Sequence, residues 1–568
     1  MIRAVVDPFA DGVNHRFGAI QNKWLNAKLS RLSGLRGLFV KRRHWQKKTG
    51  YSMAEANREL RQSVDRLRVG GILPLAGLVN VALSFDASAE EINDYCEEKS
   101  LECVRIGAMA ADQWPGLRAL VLLDAIGIDS KELLSKRDKK TGEIVERDWQ
   151  ARVGSAAWWR RRVRVICARG SEAVLQDTGY VSRYSGAYIS NFGFKRWVES
   201  QRRGRALLES MEIVDTESGE VLPMVSAVDA SVSNPEHRRG ELMTRARGFE
   251  ECAEAAGFVP MFYTVTCPSK YHVFSGRARN KNYNGATPRE ASAYLTGLWA
   301  RCRSMLAKQG IEFFGFRVAE PHHDGCPHWH LLLFVNPLHK WALTEIIAGH
   351  ALEEDGDEDG ADKHRFTAVQ IEADSSGSSG ATGYIAKYIS KNIDGFSVGD
   401  DFESGKPADL SALRVRAWAS VWGIRQFQQI GGPSVTVWRE LRRVANSPER
   451  IHVDDKLRKI IEAADAGDWS AFVLLMGGAV CSRVDRPAAI VYSDKDVKTG
   501  QPRKGCYGDA VVRVVGVISR VLDSLVITRW KIWEVRLVPR VGAVVEKKAV
   551  AFKSFTDPPQ GVSLDLCQ

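Results

Sequence analysis

Two histidines that flank a tryptophan are the first residues in this chain whose types and spacing suggest chemistry. His328 and His330 stand on either side of Trp329 at the start of an apolar run, WHLLLFV, between Pro327 and Pro337. A short apolar run bounded by prolines favours a buried strand over a helix. Residues two apart on a strand share a face, so we expect both imidazoles to point the same way. Two imidazoles at a strand start provide half of a site for a first-row metal and leave positions open for substrate oxygens.

A third metal ligand is expected from the segment before this strand. Phe313 to Val318 has the pattern of a preceding strand, and Glu320 follows at its end, where a hairpin would return it to the histidines. His322 and His323 are rival ligands, but they fall in the expected hairpin loop. A His-x-His sequence also occurs by chance, and the nearby carboxylate strengthens the metal interpretation.

Two tyrosines four residues apart form a second group. Residues 383–392 follow a Ser/Gly-rich stretch and have the spacing of a helix that ends near Gly395. One face of this helix carries isoleucines and another carries the tyrosines with a lysine: Ile385, Ile389 and Ile393 against Tyr384, Tyr388 and Lys391.

The tyrosine hydroxyls are candidate nucleophiles. On a helix, the Cβ atoms of Tyr384 and Tyr388 are roughly 6 Å apart and point one way. A phenol titrates near pH ~10, so its attack on a phosphate at neutral pH needs metal polarisation and a nearby cation. Lys387, between the two tyrosines in sequence, is the candidate cation. The alternative is a helix that packs both rings into a core, the commoner role of such a pair, although the isoleucine face is the better core face here.

Together these motifs resemble the HUH endonucleases, and specifically the bacteriophage replication gene A protein group of rolling-circle initiators. HWH is similar to the two-histidine motif of that group, and YIAKYISKN is similar to its two-tyrosine motif. FYTVTCPSKYH, at 262–272, resembles the first strand motif, and residues 416–443 also resemble this group. The resemblance covers residues 234–443 most clearly. It is weaker over 158–205 and in the C-terminal part, and it does not include the first 150 residues.

The resemblance implies a fold, an activity and a mechanism. The fold is α+β, with an HUH-type central antiparallel sheet that carries the histidines, flanking helices, and the tyrosine helix beside the sheet. The activity is nicking of one DNA strand at an origin with Mg²⁺ or Mn²⁺, held by His328, His330 and Glu320. One tyrosine, Tyr384 or Tyr388, becomes joined to the 5′ phosphate and frees a 3′ hydroxyl for a polymerase. The second tyrosine cuts the regenerated origin, and the released strand is closed.

The chain is expected to contain four regions. These are a helical N-terminal region of no assigned role over 1–150, a basic helical segment over 151–233, an HUH endonuclease domain over 234–443 and a β-rich C-terminal accessory domain over 444–568. The stretch WWRRRVRVICAR, at 158–169, mixes cations with aromatic rings, which suits contact with nucleic acid. It equally suits an amphipathic helix with Trp158, Val163 and Ile166 turned inward.

A basic loop follows the first strand motif of the expected endonuclease domain. The loop reads GRARNKNYN at 276–284, and its cations suit a DNA strand. The candidate DNA contacts are Arg277, Arg279 and Lys281 of this loop, together with Lys391 of the tyrosine helix.

Composition agrees with a DNA-binding protein of the cytoplasm. The 568 residues carry a net charge of +11, which favours a polyanionic partner. The ten cysteines include no CxxC pair, which argues against a zinc ribbon and suits free thiols in a reducing compartment. We find no secretory signal and no apolar run long enough to span a bilayer, so the expected location is the bacterial host cytoplasm, with no membrane partner. The expected partners are single-stranded or origin DNA and the host replication helicase and polymerase.

Three other functions fit parts of the same pattern. A conjugative relaxase or a transposase of related fold would use the same chemistry, but the paired tyrosines and the WGIRQFQ segment favour the phage initiator. A DNA-binding regulator without catalysis would not need both histidines and both tyrosines. A zinc-dependent hydrolase would use the histidines and leave the tyrosines without a role.

Overall fold

The computed structural model describes residues 87–109, 135–137, 144–146, 149–276, 278–372, 380–396, 408–445, 454–496 and 499–538, with a few isolated positions before residue 63. In these residues helices and strands are mixed, which confirms the α+β prediction at that level.

Helices α1 to α14 are, in order, Ala89–Met109, Trp149–Val153, Ala156–Asp177, Asn191–Glu209, Met224–Asp229, Pro235–Ala255, Pro288–Lys308, Lys340–Leu352, Ala361–His364, Ala381–Ile393, Ala408–Trp422, Val435–Ala445, Asp455–Asp465 and Trp469–Leu475. Strands β1 to β15 are Ser135–Arg137, Ile144–Glu146, Met211–Asp215, Val221–Pro223, Val259–Thr266, Phe274–Ser275, Ala278–Arg279, Phe313–Pro321, Pro327–Val335, Phe366–Gln370, Phe427–Ile430, Ala488–Ser493, Arg513–Ser519, Ser524–Ile527 and Trp533–Leu537.

Five antiparallel strands form the central sheet, in the order β10-β5-β9-β8-β11. The predicted histidine strand is confirmed as β9, the middle strand of the five. All its residues are buried, because neighbouring strands cover both edges and side chains pack on both faces. An uninterrupted apolar run is what such a doubly covered strand requires.

Both faces of the sheet are covered by helices. On the face of the sheet that includes the histidines, Phe249 of α6 contacts Phe314 and Phe316 of β8, with ring centroids 5.2 and 5.3 Å away. On the opposite face, Trp299 of α7 contacts Phe313, with the ring centroids 6.0 Å apart. The alternation of side chains along β8 thus supplies two separate apolar surfaces.

The predicted tyrosine helix is confirmed as α10. Its isoleucines, Ile385, Ile389 and Ile393, are buried in the same core as α6. The helix ends where Gly395 adopts a φ of +74°, a conformation that glycine accepts without strain. The tyrosine rings lie on another face of the helix, where both contact Phe262 of β5.

The core of the central sheet continues past residue 444. Trp469 of α14 contacts Phe249 and Trp438, with ring centroids 5.9 and 5.0 Å apart. Strand β15 pairs with β3, so that Trp533 lies opposite Asp215. The core around Phe249 thus includes residues on both sides of the expected boundary between 443 and 444, and β12, β13 and β14 form a three-stranded sheet of their own. The boundaries at 150, 233 and 443 stay predictions.

Two compact units can be distinguished in the chain. The first contains residues 1–193, 270–287 and 323–325, and the second contains the remainder, including the central sheet. In the first unit, Trp158 and Val163 of α3 are buried while Arg162 is exposed. This arrangement matches the amphipathic alternative for the basic stretch. The other arginines of the stretch are half-buried, and the structure does not test a contact with DNA.

Gly315 is required by the close approach of β8 to β9. Its φ is +151°, and a Cβ atom at this position would lie 1.9 Å from the carbonyl oxygen of Leu332.

We expect Gly315→Ala to lower the free energy of unfolding by at least about 3 kcal/mol, measured by denaturant titration. Gly310→Ala is the matched control, since Gly310 also has a positive φ but open space around it. Its expected cost is only about 1 kcal/mol. Equal losses in the two variants would contradict this account.

Glu440 fixes the segment that leads from β14 towards β15. This buried carboxylate accepts hydrogen bonds from the Thr528 hydroxyl and from Arg529, whose Nη2 lies 2.7 Å away. Burial by itself raises the pKa of Glu440, but the bonds from Arg529 and Thr528 and the charges of Arg529 and Arg443 bring the pKa below its ordinary value. The native state therefore binds fewer protons than the unfolded chain in acid.

We expect Glu440→Gln to cost about 2 kcal/mol of unfolding free energy at pH 7. A lowered native pKa gives stability that is complete above the unfolded pKa and is lost as the pH falls through the native pKa. The difference between the wild type and Glu440→Gln should therefore shrink as the pH drops below about 4.5. Glu534→Gln, at an exposed position, should change stability by less than about 0.5 kcal/mol at any pH. A gap that stays constant from pH 7 to pH 3 would show that the charge of Glu440 is not the cause.

Candidate metal and tyrosine site

The hairpin of β8 and β9 brings a carboxylate and two imidazoles together. Glu320 pairs directly with His328, and Val318 pairs with His330. Directly opposite residues of an antiparallel pair share a face, so Glu320, His328 and His330 point to one side. Trp329 points to the other, where the Arg317 guanidinium lies 4.0 Å from its ring centroid. Both the shared face of the histidines and the return of Glu320 to them agree with the sequence analysis.

The three side chains form a compact and buried donor set. Their ligand atoms all lie within 4.8 Å of one another. Nε2 of His328 is 3.1 Å from Nε2 of His330, and Oε2 of Glu320 lies 4.0 and 3.6 Å from these two atoms. Two imidazole lone pairs that face each other repel unless a proton or a cation lies against both. Imidazole nitrogens and a carboxylate oxygen are donors that suit divalent first-row metals, so these residues fit the predicted metal.

Thr264 of β5 orients one of the imidazoles. Its Oγ1 is 3.1 Å from Nδ1 of His330, opposite which it pairs in the sheet. A proton on Nδ1 that is donated to the hydroxyl leaves the Nε2 lone pair directed at the donor set.

The ring of His322 packs against that of His328, with the centroids 4.1 Å apart. Among the described residues, the group with metal-binding geometry contains Glu320 and neither of the rival loop histidines.

The carboxylate of Glu320 is surrounded by donors and cations. Burial by itself raises the pKa of Glu320, but His330, the Lys391 ammonium and the Asn392 amide together hold it below its ordinary value. Nζ of Lys391 is 3.7 Å from Oε2. A carboxylate that stays ionised in a buried site is a suitable ligand for a cation.

The tyrosine pair lies beside this donor set. The ring centroid of Tyr388 is 4.2 Å from that of His330, and Phe262 of β5 contacts both tyrosine rings, at 5.2 Å for Tyr388 and 4.6 Å for Tyr384. The two tyrosine rings are 6.3 Å apart. Tyr388 is partly buried, whereas Tyr384 is 41% exposed. The structure therefore brings one phenol against His330 of the donor set and places the other one helical turn away, nearer to solvent.

The predicted cations differ in their surroundings. Lys391, predicted as a DNA contact, lies against Glu320, while Lys387, predicted as catalytic, is exposed. In the first unit, Lys281 is exposed, but Arg279 donates from Nη2 to Asp177 at 3.0 Å. A role for Arg279 in binding DNA would have to be shared with this ion pair. Arg277 lies outside the described residues.

Sequence reasoning missed two polar residues of the site. The sequence analysis assigns no role in the site to Thr264 or to Asn392. Asn392 donates to Oε1 of Glu320 and, at 2.7 Å, to the carbonyl of Tyr388. Its spacing of four residues after Tyr388 on a predicted helix was the one available signal, since this places it on the tyrosine side.

The sheet and the site define a class of protein in which a buried Glu-His-His group on a central antiparallel sheet lies beside a tyrosine pair. Residues 131–396 match the family described as Bacteriophage replication gene A protein (GPA). The match confirms the resemblance that the motifs predicted.

Curated relatives extend the match beyond that segment. The chain is 40% identical over 410 residues to "Replication gene A protein" of Escherichia phage 186, a match that covers 71% of this chain and 58% of the relative. It is 41% identical over 368 residues to "Probable replication protein P12" of Pseudoalteromonas phage PM2, which covers 64% and 55%. It is 34% identical over 438 residues to "Probable replication endonuclease from prophage-like region" of Escherichia coli O6:H1, which covers 74% and 53%.

The matched region spans about half the length of these relatives, between 53% and 58%. No solved structure matches the chain. None of the described helices has the length and the apolar content needed to cross a bilayer.

Metal binding by the donor set can be tested with Mn²⁺ in the absence of DNA. We expect Glu320→Gln and His328→Ala to weaken Mn²⁺ binding about a hundredfold or more, since even residues that only support a ligand cost 10–100-fold. His323→Ala is the control and should bind Mn²⁺ as the wild type does. Isothermal titration gives the dissociation constants directly. If Mn²⁺ binding is lost in His323→Ala and kept in Glu320→Gln, then His323 and not Glu320 is the third ligand.

Proposed function

We propose that the chain is a metal-dependent endonuclease of the HUH type that nicks one strand of origin DNA through a tyrosine and so starts rolling-circle replication. The observation that carries this proposal is the contact between Tyr388 and His330, with ring centroids 4.2 Å apart, on the buried Glu-His-His group. The names of the relatives, which include replication proteins and a probable replication endonuclease, agree with it.

Glu320, His328 and His330 would hold the divalent cation, Mg²⁺ or Mn²⁺. When bound, such a cation neutralises charge on a phosphate oxygen and makes phosphorus easier to attack. The remaining residues orient this group: Thr264 fixes the His330 ring and Lys391 adds a positive charge next to the carboxylate. The contact of Lys391 with Glu320 favours Lys391 over Lys387 as the cation that lies close to the scissile phosphate.

The tyrosine performs a transesterification. Its oxygen attacks phosphorus, the new bond between tyrosine oxygen and phosphorus forms, and the bond from phosphorus to the 3′ oxygen breaks. The phenol proton is released to solvent, and the departing 3′ oxygen takes up a proton. The strand is then joined to the protein by its 5′ phosphate, and the free 3′ hydroxyl is available to a polymerase. The energy of the phosphodiester bond is kept in the phosphotyrosine, so that a later attack by a 3′ hydroxyl can rejoin DNA.

The two tyrosines differ in their surroundings, which supports different roles. Tyr388 lies against His330, so its hydroxyl is the better placed for the first attack. Tyr384, one turn earlier and 41% exposed, would cut the regenerated origin while Tyr388 is still joined to DNA. The released end then attacks the first phosphotyrosine, which closes the displaced strand.

The proposed partners follow from this reaction. Single-stranded origin DNA is the substrate, and the net charge of +11 favours its binding. A host helicase would separate the strands and a host polymerase would extend the 3′ end. A relaxase or transposase of the same chemistry remains the nearest alternative, and a zinc-dependent hydrolase using only the histidines is the alternative from another mechanism.

A covalent protein–DNA adduct would identify the reaction. The protein is incubated with Mn²⁺ and overlapping single-stranded fragments of the DNA molecule that encodes it, and adducts are detected by denaturing electrophoresis. We expect an adduct that disappears on chelation and in the Tyr384→Phe, Tyr388→Phe double variant. Tyr388→Phe alone should remove more of it than Tyr384→Phe alone, because of the position of Tyr388 beside His330.

Tyr263→Phe serves as the control, since this buried tyrosine of β5 hydrogen-bonds to Thr344 and lies outside the tyrosine helix. It should form the adduct as the wild type does. An adduct that persists in the double variant removes the tyrosines from the mechanism. Cleavage without any adduct, in the wild type and the double variant alike, would favour the hydrolase.

A further inference from the structure

We propose that Asn392 is a positioning residue: it holds one oxygen of Glu320 so that the other is presented to the metal, and it ties the tyrosine helix to that ligand. This inference rests on the metal-dependent function proposed above, and it assigns a task to a residue that the predicted mechanism does not use.

The contacts of Asn392 determine how its amide is oriented. Nδ2 donates to Oε1 of Glu320 and to the carbonyl oxygen of Tyr388, 2.7 Å away. Both partners can only accept hydrogen bonds, so the NH₂ group, and not the amide oxygen, must face them. The residue is 1% exposed, so its amide is shielded from bulk solvent. Asn392 is therefore a fixed double donor inside the protein.

The two oxygens of Glu320 have different environments. Oε2 faces both histidines, at 4.0 and 3.6 Å, and it lies 3.7 Å from Nζ of Lys391. Oε1 accepts from Asn392. Adjacent residues of α10 thus contact opposite oxygens of one carboxylate. With Oε1 occupied by the amide, rotation of the carboxylate about its last bond would break a hydrogen bond, and Oε2 stays directed at the donor set.

The same contacts link the tyrosine to the metal ligand. Asn392 and Tyr388 are one turn apart on α10, and the Asn392 amide bonds both to the Tyr388 carbonyl and to a residue of β8. The carbonyl of Asn392 itself accepts from Nε2 of the buried Gln426, at 3.4 Å. A movement of α10 away from β8 would therefore disturb the carboxylate and the phenol together. Metal binding and the placement of the nucleophile are coupled through this amide.

A purely structural role would have different consequences. If Asn392 only joined the helix to the sheet, its loss would lower stability and leave the affinity for metal unchanged in the folded protein. If it positions Glu320, its loss weakens metal binding even where the fold is retained. Residues that support a metal ligand in this way typically contribute 10–100-fold to affinity.

The test uses the full chain and measures Mn²⁺ binding without DNA, by electron paramagnetic resonance of free Mn²⁺, alongside thermal unfolding without metal. Asn392→Leu keeps the approximate volume and removes the donor, and Asn392→Gln keeps an amide that is displaced by one methylene. We expect the Mn²⁺ dissociation constant to rise roughly tenfold or more in Asn392→Leu, with partial recovery in Asn392→Gln. Ser390→Ala, a buried position on the same helix, should leave it unchanged.

A second measurement distinguishes positioning from a direct part in the reaction. The Mn²⁺ concentration that gives half-maximal adduct should rise by the same factor as the dissociation constant, while the yield at saturating Mn²⁺ returns towards that of the wild type. The proposal is overturned if a folded Asn392→Leu variant binds Mn²⁺ like the wild type or, where that variant does not fold, if Asn392→Gln does. Should the wild type itself bind no Mn²⁺, the metal-dependent function fails first, and that result is distinct from a variant that matches a binding wild type.

Discussion

The site depends on the burial of one carboxylate. Glu320 is 3% exposed, and an ionised carboxylate in such a place costs several kcal/mol unless cations and donors surround it. Its partners come from two separate elements: the histidines from β9, and Lys391 and Asn392 from α10, while Glu320 itself is on β8. None of these elements can move far without leaving the charge uncompensated. The requirement to satisfy Glu320 therefore holds the histidine strand and the tyrosine helix in one arrangement.

That requirement explains why the histidine strand is in the middle of the sheet. A strand with neighbours on both sides has its backbone fully hydrogen-bonded, so its side chains keep a fixed direction. On one face β9 can then carry polar ligands whose positions are set by β8 and β5: Glu320 on one side and Thr264 on the other. On the opposite face it contributes Trp329 to an apolar core. A single-residue slip in register would exchange the two faces and place Trp329 among the metal ligands.

The sequence alone predicted those parts of the site that depend on local periodicity. The strand of His328 and His330 and the helix of Tyr384 and Tyr388 follow from spacings of two and four residues, and a hairpin of a few residues returns Glu320 to the histidines. Contacts between distant segments could not be predicted in this way. Asn392 meets Glu320 across 72 residues and Arg279 meets Asp177 across 102, and these pairs depend on how whole elements dock.

The C-terminal part shows the same limit on a larger scale. Its strands alternate apolar and charged residues, which indicates a half-exposed sheet but does not identify the partner strand. β15 pairs with β3, more than 300 residues earlier in the chain, and Trp469 completes the core over Phe249. Nothing in the spacing of these residues distinguishes a separate domain from an extension of the existing core. Only the packing of these elements in the folded chain distinguishes a separate domain from an extension of the core.

The tyrosine helix has to satisfy two demands that oppose each other. A nucleophile must reach a phosphate from outside, yet it must be held rigidly against the metal ligands. The helix meets the second demand through its isoleucine face, which is fully buried, and through Asn392, and it meets the first by placing its phenols at the border of that face. Tyr388 packs against His330 and is partly buried, whereas Tyr384, one turn earlier, is 41% exposed. The two phenols therefore meet the two demands to different degrees: one is held against the donor set and the other is open to solvent.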